Sequence, residues 1–135
     1  MALVGRQLTG KSTIFAAASS PAANHERLAG RGGSYQECIV EVGLDQISLV
    51  DLPDIGSLHQ LREQDRVVLM YLLWGDHWPL IARHEIEQPV AAFPAPDVLI
   101  QVVDATALEP NLALSQELCQ LGKPLVIALN RLDEA

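Results

Sequence analysis

The sequence predicts an α/β protein with a mostly parallel sheet, and three observations carry that prediction. Residues 98–104 (VLIQVVD) and 124–130 (PLVIALN) are near-continuous apolar runs, as expected of central strands buried on both faces. Longer helix-like stretches alternate with the β-type runs, which implies crossover connections and a sheet covered by helices. A glycine-bounded loop at 5–10 lies between an apolar stub at 2–4 and a helical stretch at 11–19.

Each element has a local reason. The helix at 11–19 opens on the glycine loop and is stopped by Pro21. Residues 21–33 are rich in Ala, Gly, Asn and Arg without periodicity, so they predict a mobile loop. Runs at 37–42 and 46–51 flank Gly43-Leu44-Asp45, the short spacing of an antiparallel hairpin. Within 61–74, Leu61, Val68, Leu69, Leu72 and Leu73 predict a helix laid on the sheet and ended by Gly75. Arg62, Glu63, Asp65 and Arg66 read as its solvated side. Four prolines between 76 and 96 predict an irregular insertion with at most a short helix near 81–87. Leu112, Leu114, Leu118 and Leu121 define an amphipathic helix over 111–121, closed by Gly122.

A length of 135 residues suits one domain, and 49 % apolar against 19 % charged residues excludes a disordered chain. A formal charge of −8 repels phosphate backbones and anionic lipid, which argues against a general nucleic-acid binder. The longest apolar run, 67–74, is far shorter than the ~20 residues of a membrane-crossing helix. The N-terminus carries no secretory signal, so a cytosolic location is expected. Cys38 and Cys119 each sit in apolar runs and read as two reduced, buried thiols.

Three motifs carry chemistry. Gly5-Arg6-Gln7-Leu8-Thr9-Gly10-Lys11-Ser12 satisfies G-x-x-x-x-G-K-S/T directly after a strand and before a helix. Its glycines free the backbone to wrap a phosphate chain, Lys11 supplies a point charge for the terminal phosphates, and the Ser12 hydroxyl suits Mg²⁺. Asp51 ends a strand at the same sheet edge, where a carboxylate can join the Mg²⁺ shell. Asn130-Arg131-Leu132-Asp133 follows another buried strand. There the Asp133 carboxylate can accept from the two ring N–H donors that guanine presents and adenine lacks, with Asn130 supporting the base.

Taken in order, the segment 5–12, Asp51-Leu52-Pro53, Val102-Val103-Asp104-Ala105 with Asn111-Leu112, and 128–133 resemble the N-terminal G domain of the bacterial ferrous-iron transporter FeoB family. The resemblance implies a Ras-like P-loop GTPase fold: a mostly parallel sheet with one antiparallel hairpin strand, helices on both faces, and the last strand and helix lacking. It implies a single partial G domain over 1–135, with 21–36 as switch I and 52–60 as switch II. Gly5, Gly10, Lys11, Ser12, Thr13, Asn130 and Asp133 would then bind GTP or GDP, Lys11 would be the catalytic group, and Ser12 with Asp51 would hold Mg²⁺. The partners implied are a membrane permease portion or subunit at the cytoplasmic face of the inner membrane. The open edge of a last strand at 124–129 adds an expectation of self-association.

The chain also departs from the family pattern. Asp54 stands where the family's Asp-Leu-Pro-Gly has glycine, and a carboxylate near a triphosphate is repulsive. Leu8 stands where the family carries the Asn linked to potassium activation, so potassium stimulation is expected to be weak or absent. Ile55 follows Asp54, leaving no Gln or His there to orient water. Slow GTP hydrolysis is the expectation, with a catalytically impaired nucleotide-binding module as the alternative. Ser34 and Tyr35 are the nearest hydroxyls for switch I, His59 reads as an exposed loop residue, and His77, His84 and Glu85 lack ligand spacing for a metal.

Overall fold

Side chains alternate faces along a strand, and β1 (Ala2–Gly5) thereby divides the interior in two. The computed structural model describes residues 1–19, 25–29, 33–75 and 95–135; for 25–29, 33–35, 63, 64 and 67 it describes the backbone only. Ala2 and Val4 point to one face, where they meet Val50, Leu52, Ile55, Val68, Leu72, Leu99, Leu114 and Leu118. Leu3 points to the other, against Phe15, Cys38, Leu49 and Val102.

Besides β1, the strands are β2 (His25–Ala29), β3 (Gly33–Val42), β4 (Asp45–Asp51), β5 (Leu99–Asp104) and β6 (Leu125–Asn130). They form one six-stranded sheet in the order β2-β3-β4-β1-β5-β6. Pairings β4–β1, β1–β5 and β5–β6 are parallel, whereas β2–β3 and β3–β4 are antiparallel. Helix α1 (Lys11–Ala18) covers the Leu3 face through Phe15 and Ile14. Helices α2 (Glu63–Trp74) and α3 (Leu108–Cys119) cover the other through Val68, Leu72, Leu114 and Leu118. The parallel centre places the C-terminal ends of β1, β4, β5 and β6 along one edge, where open α/β sheets bind ligands.

The expected α/β class, hairpin and helices are present, with five corrections. The run at 124–130, expected as a central strand buried on both faces, forms the edge strand β6, where only β5 pairs with it among the described residues and Val126, Ile127 and Leu129 are exposed. Residues 25–29 form an edge strand where a loop was expected. β3 begins at Gly33 and pairs with β2 on its far side, so the sheet has two antiparallel pairings and most of 25–36 is a hairpin. Backbone pairing drives this edge, and His25-Glu26-Arg27-Leu28-Ala29 has no alternation to announce it. Asp65 is buried, because its carboxylate accepts from the Arg62 backbone N–H (2.9 Å), Nε (2.9 Å) and Nη2 (3.0 Å) and so caps the start of α2.

Cys119 is exposed, since one step beyond Leu118 rotates it about 100° off the helix face that meets the sheet. On α3, Leu112 is exposed while Asn111 and Ser115 take the buried face. They bond the buried Gln101 of β5, whose Nε2 donates to the Asn111 carbonyl (2.8 Å) and whose Oε1 accepts from Ser115 Oγ (2.7 Å). Of the insertion expected at 76–96, residues 76–94 lie outside the described residues, and with them His77, His84 and Glu85.

Burial, with Glu37 beside it, pushes the Cys38 thiol up. We therefore expect a thiol reagent at pH 8 to label Cys119 rapidly in the native chain and Cys38 only after urea unfolding. Equal labelling rates would mean that the α1 face of the core is open.

Candidate nucleotide site

Beyond Gly5 the chain turns within five residues into α1, and the glycines at the two ends of that turn leave little room for a side chain. A Cβ on Gly5 would stand 3.0 Å from both Thr9 Oγ1 and the Val102 carbonyl oxygen. Gly10 has φ +87°, a left-handed conformation that disfavours L side chains, and a Cβ there would collide with the side-chain nitrogen of Asn130. The loop is closed by Thr9 Oγ1 donating to the Arg6 carbonyl at 3.0 Å. Leu8 sits at its tip, 77 % exposed and with φ 66°. Residues 6–13 and Asp54 line a concavity of about 290 Å³. Helix α1 starts in it, so N–H groups without helical partners face an anion-sized hollow.

Lys11 is the first residue of α1 and its side chain is 5 % exposed. A buried ammonium must be paired. Its Nζ lies 2.5 Å from Oδ1 of Asp51, whose side chain is 10 % exposed. Oδ1 of Asp54 is 3.5 Å from the same nitrogen, on a side chain 45 % exposed. Ser12 Oγ donates to Asp51 Oδ2 at 3.3 Å. Asp51 reaches this point because it ends β4 in register with Leu3 of β1.

From the far side, Asn130 at the end of β6 donates through Nδ2 to the Thr9 carbonyl at 2.9 Å. Arg131, in the left-handed region at φ 56°, turns the chain into a short 3₁₀ helix (Leu132–Glu134) carrying the exposed Asp133. Arg131 also donates through Nη1 to Asp104 Oδ2 at 3.2 Å. Asp104 accepts from the Thr106 hydroxyl (2.6 Å) and N–H (2.9 Å), and these bonds with Arg131 hold its carboxyl below the usual range.

Thus Gly5, Gly10, Lys11, Ser12, Asp51, Asp54 and Asn130 come together and Thr13 lines the same hollow, while Asp133 is exposed on the 3₁₀ helix after β6. The side chains of Ser34 and Tyr35 lie outside the described residues, and His59 is exposed. Among the described residues no group of three His, Cys, Asp or Glu could hold a metal ion. Sequence reasoning did not find Arg6, whose Nη1 donates to the Gly56 carbonyl at 2.6 Å, or Glu117. Glu117 accepts from Ser57 Oγ at 2.9 Å and from the Leu58 N–H. Only long-range geometry reveals such contacts. Asp104 was visible as a motif letter but not as the tie between β5 and β6.

A phosphate-sized cradle at the start of α1, a buried lysine on a strand-end carboxylate and an Asn-x-x-Asp segment tied to the cradle define a G domain of the Ras-like P-loop class. Residues 79–135 match the family model described as Ferrous iron transport protein B. The Fe(2+) transporter FeoB of Helicobacter pylori is 32 % identical over 139 residues, covering 100 % of this chain and 18 % of that protein. That of Escherichia coli is 32 % identical over 137 residues, covering 98 % and 15 %. The chain thus spans under a fifth of the length of these relatives.

The crystal structure of the G domain of the T. maritima FeoB iron transporter superposes with a TM-score of 0.78 at 26 % identity, over 99 % of this chain and 72 % of that one. A mutant of S. thermophilus NFeoB bound to GDP gives 0.75 at 28 % identity, over 98 % and 44 %. The chain belongs with the N-terminal G domains of the FeoB family.

Two outcomes test this geometry. Removing one partner of a buried ion pair strands the other charge, so Asp51→Ala should cost about 3 kcal/mol in urea unfolding, near the low end because Asp54 stays beside Lys11. The lowered Asp104 carboxyl contributes stability at neutral pH that is lost as pH falls through its folded value. Asp104→Asn should therefore be less stable than the parent at pH 7, with the gap closing below about pH 4.

Proposed function

We propose that the chain binds GDP or GTP with Mg²⁺, hydrolyses the terminal phosphate slowly, and serves as the regulatory G domain of a ferrous-iron uptake system. The observation that carries this reading is the convergence of Lys11, Ser12 and Asp51 on the cradle, with Asn130 bonded to the cradle's own backbone. In support, the relatives are named Fe(2+) transporters and structural neighbours are GDP-bound FeoB G domains. Neighbouring structures are also of FeoB cytosolic domains, and no helix among the described residues is long and apolar enough to cross a membrane. A cytoplasmic placement beside a membrane permease portion fits both.

Lys11 supplies positive charge to the β- and γ-phosphates, and the backbone of 5–13 with the start of α1 orients them. Ser12 and Asp51 place two hard oxygen donors next to each other beside the cradle, the donor set that Mg²⁺ takes. When bound there, the ion would neutralise phosphate charge. Asp133, with Asn130, reads the base. Slow turnover follows from Ile55, whose side chain lies in the core and whose N–H donates to the Gly5 carbonyl at 3.0 Å, so nothing at that position can orient a water. The Asp54–Lys11 contact favours a second reading, an impaired module acting by docking. GTP turnover above that of Lys11→Ala supports the enzyme, and equal turnover supports the module.

Titration with fluorescent GDP in Mg²⁺, competed by ATP, tests the binding reading. GDP should bind selectively, and Asp133→Ala should weaken it by about 10- to 100-fold, the worth of hydrogen bonds to a charged group. Equal competition by ATP would overturn guanine recognition.

A further inference from the structure

We propose that Asp54 sets the phosphate-number selectivity of this site, tilting it toward the diphosphate, and that Arg6 and Glu117 are the positioning residues that keep it there. The inference rests on the guanine-nucleotide reading and names the regulation of that same site. A P-loop lysine is the cation offered to the β- and γ-phosphates. Here its nitrogen has a carboxylate oxygen of Asp54 at 3.5 Å, on the wall of the same hollow that the loop backbone forms. That carboxylate stands where a terminal phosphate would compete for Lys11, and like charges in a partly desolvated cleft repel more than they do in water. A diphosphate brings only its β-phosphate to Lys11 and leaves the terminal position to the carboxylate.

The backbone around Asp54 is fixed on both sides. Leu52 N–H donates to the Leu3 carbonyl (3.2 Å) and Ile55 N–H to that of Gly5 (3.0 Å), with both side chains in the core. Arg6 Nη1 holds the Gly56 carbonyl at 2.6 Å, and Glu117 on α3 takes the Ser57 hydroxyl and the Leu58 N–H. Asp54 also lines the neighbouring cleft with Arg6 and Arg62. The backbone after β4 therefore cannot carry Asp54 away from the cradle without breaking the Arg6 and Glu117 bonds.

Dissociation constants for GDP and for a non-hydrolysable GTP analogue, measured in Mg²⁺ on the wild type, Asp54→Asn, Asp54→Gly and Glu117→Gln, test this. The readout is the ratio of the two constants, which a merely structural role would leave unchanged. We expect a wild-type preference for GDP of about tenfold or more, collapsing to within about threefold in Asp54→Asn and Asp54→Gly and falling at least about threefold in Glu117→Gln. A wild-type ratio retained by both Asp54 variants, or a wild type that binds the analogue as tightly as GDP, would overturn the proposal while leaving guanine binding intact. Binding of neither nucleotide by any variant would overturn the guanine-nucleotide reading and this proposal with it.

Discussion

A buried ammonium governs the functional edge of this molecule. Lys11 lies at the start of α1, inside the protein, and its charge has to be met by anions from elsewhere in the chain. The partner comes from β4, the sheet neighbour of β1, so one ion pair joins the helix, the loop before it and the strand beside it. Once that pair forms, Ser12 is drawn to the second Asp51 oxygen, and the loop between β1 and α1 has its closed shape. Burial of this kind gives little net stability, because desolvation offsets most of the attraction. What it gives is a fixed position for a charge that a phosphate can use.

The rest of the edge is built in answer to that charge. Asp54 approaches from the segment after β4, held by bonds from the loop and from α3. Asn130 approaches from the end of β6, and Asp104 with Arg131 fixes the turn that follows it. Anionic and polar groups from the ends of β4 and β6 thus crowd one loop, the arrangement expected where parallel strands end together.

Much of this was legible in the amino-acid sequence because local rules coincide there. The 5–12 motif must follow a strand and open a helix, so motif and secondary structure predict one another. The apolar run at 98–104 is the buried strand it announces, whereas the equally apolar run at 124–130 lies at the sheet edge, and Gly43 and Gly75, both with positive φ, mark the turn and the helix end where expected. Contacts between distant segments were not legible. Glu117 lies on a helix nearly sixty residues from the backbone it holds, and the same letter on that helix would suit water equally well. Asp65 looked solvated because charged helix residues usually are, yet an Arg three residues earlier folds back over it. The strand at 25–29 rests on backbone pairing with an extension of β3, for which side-chain patterning has no sign.

The bond from Asn130 to the Thr9 carbonyl has a consequence of a different kind. It spans 121 residues of sequence and fastens the segment that would read a base to the segment that would hold phosphates. If both bind as proposed, the two are held at a set spacing, and a ligand joined through a ribose would engage the second at the high effective concentration set by the first. Neither half of a nucleotide alone has that advantage. Loosening this amide would leave the spacing of the two segments to the β1–β5–β6 pairings alone.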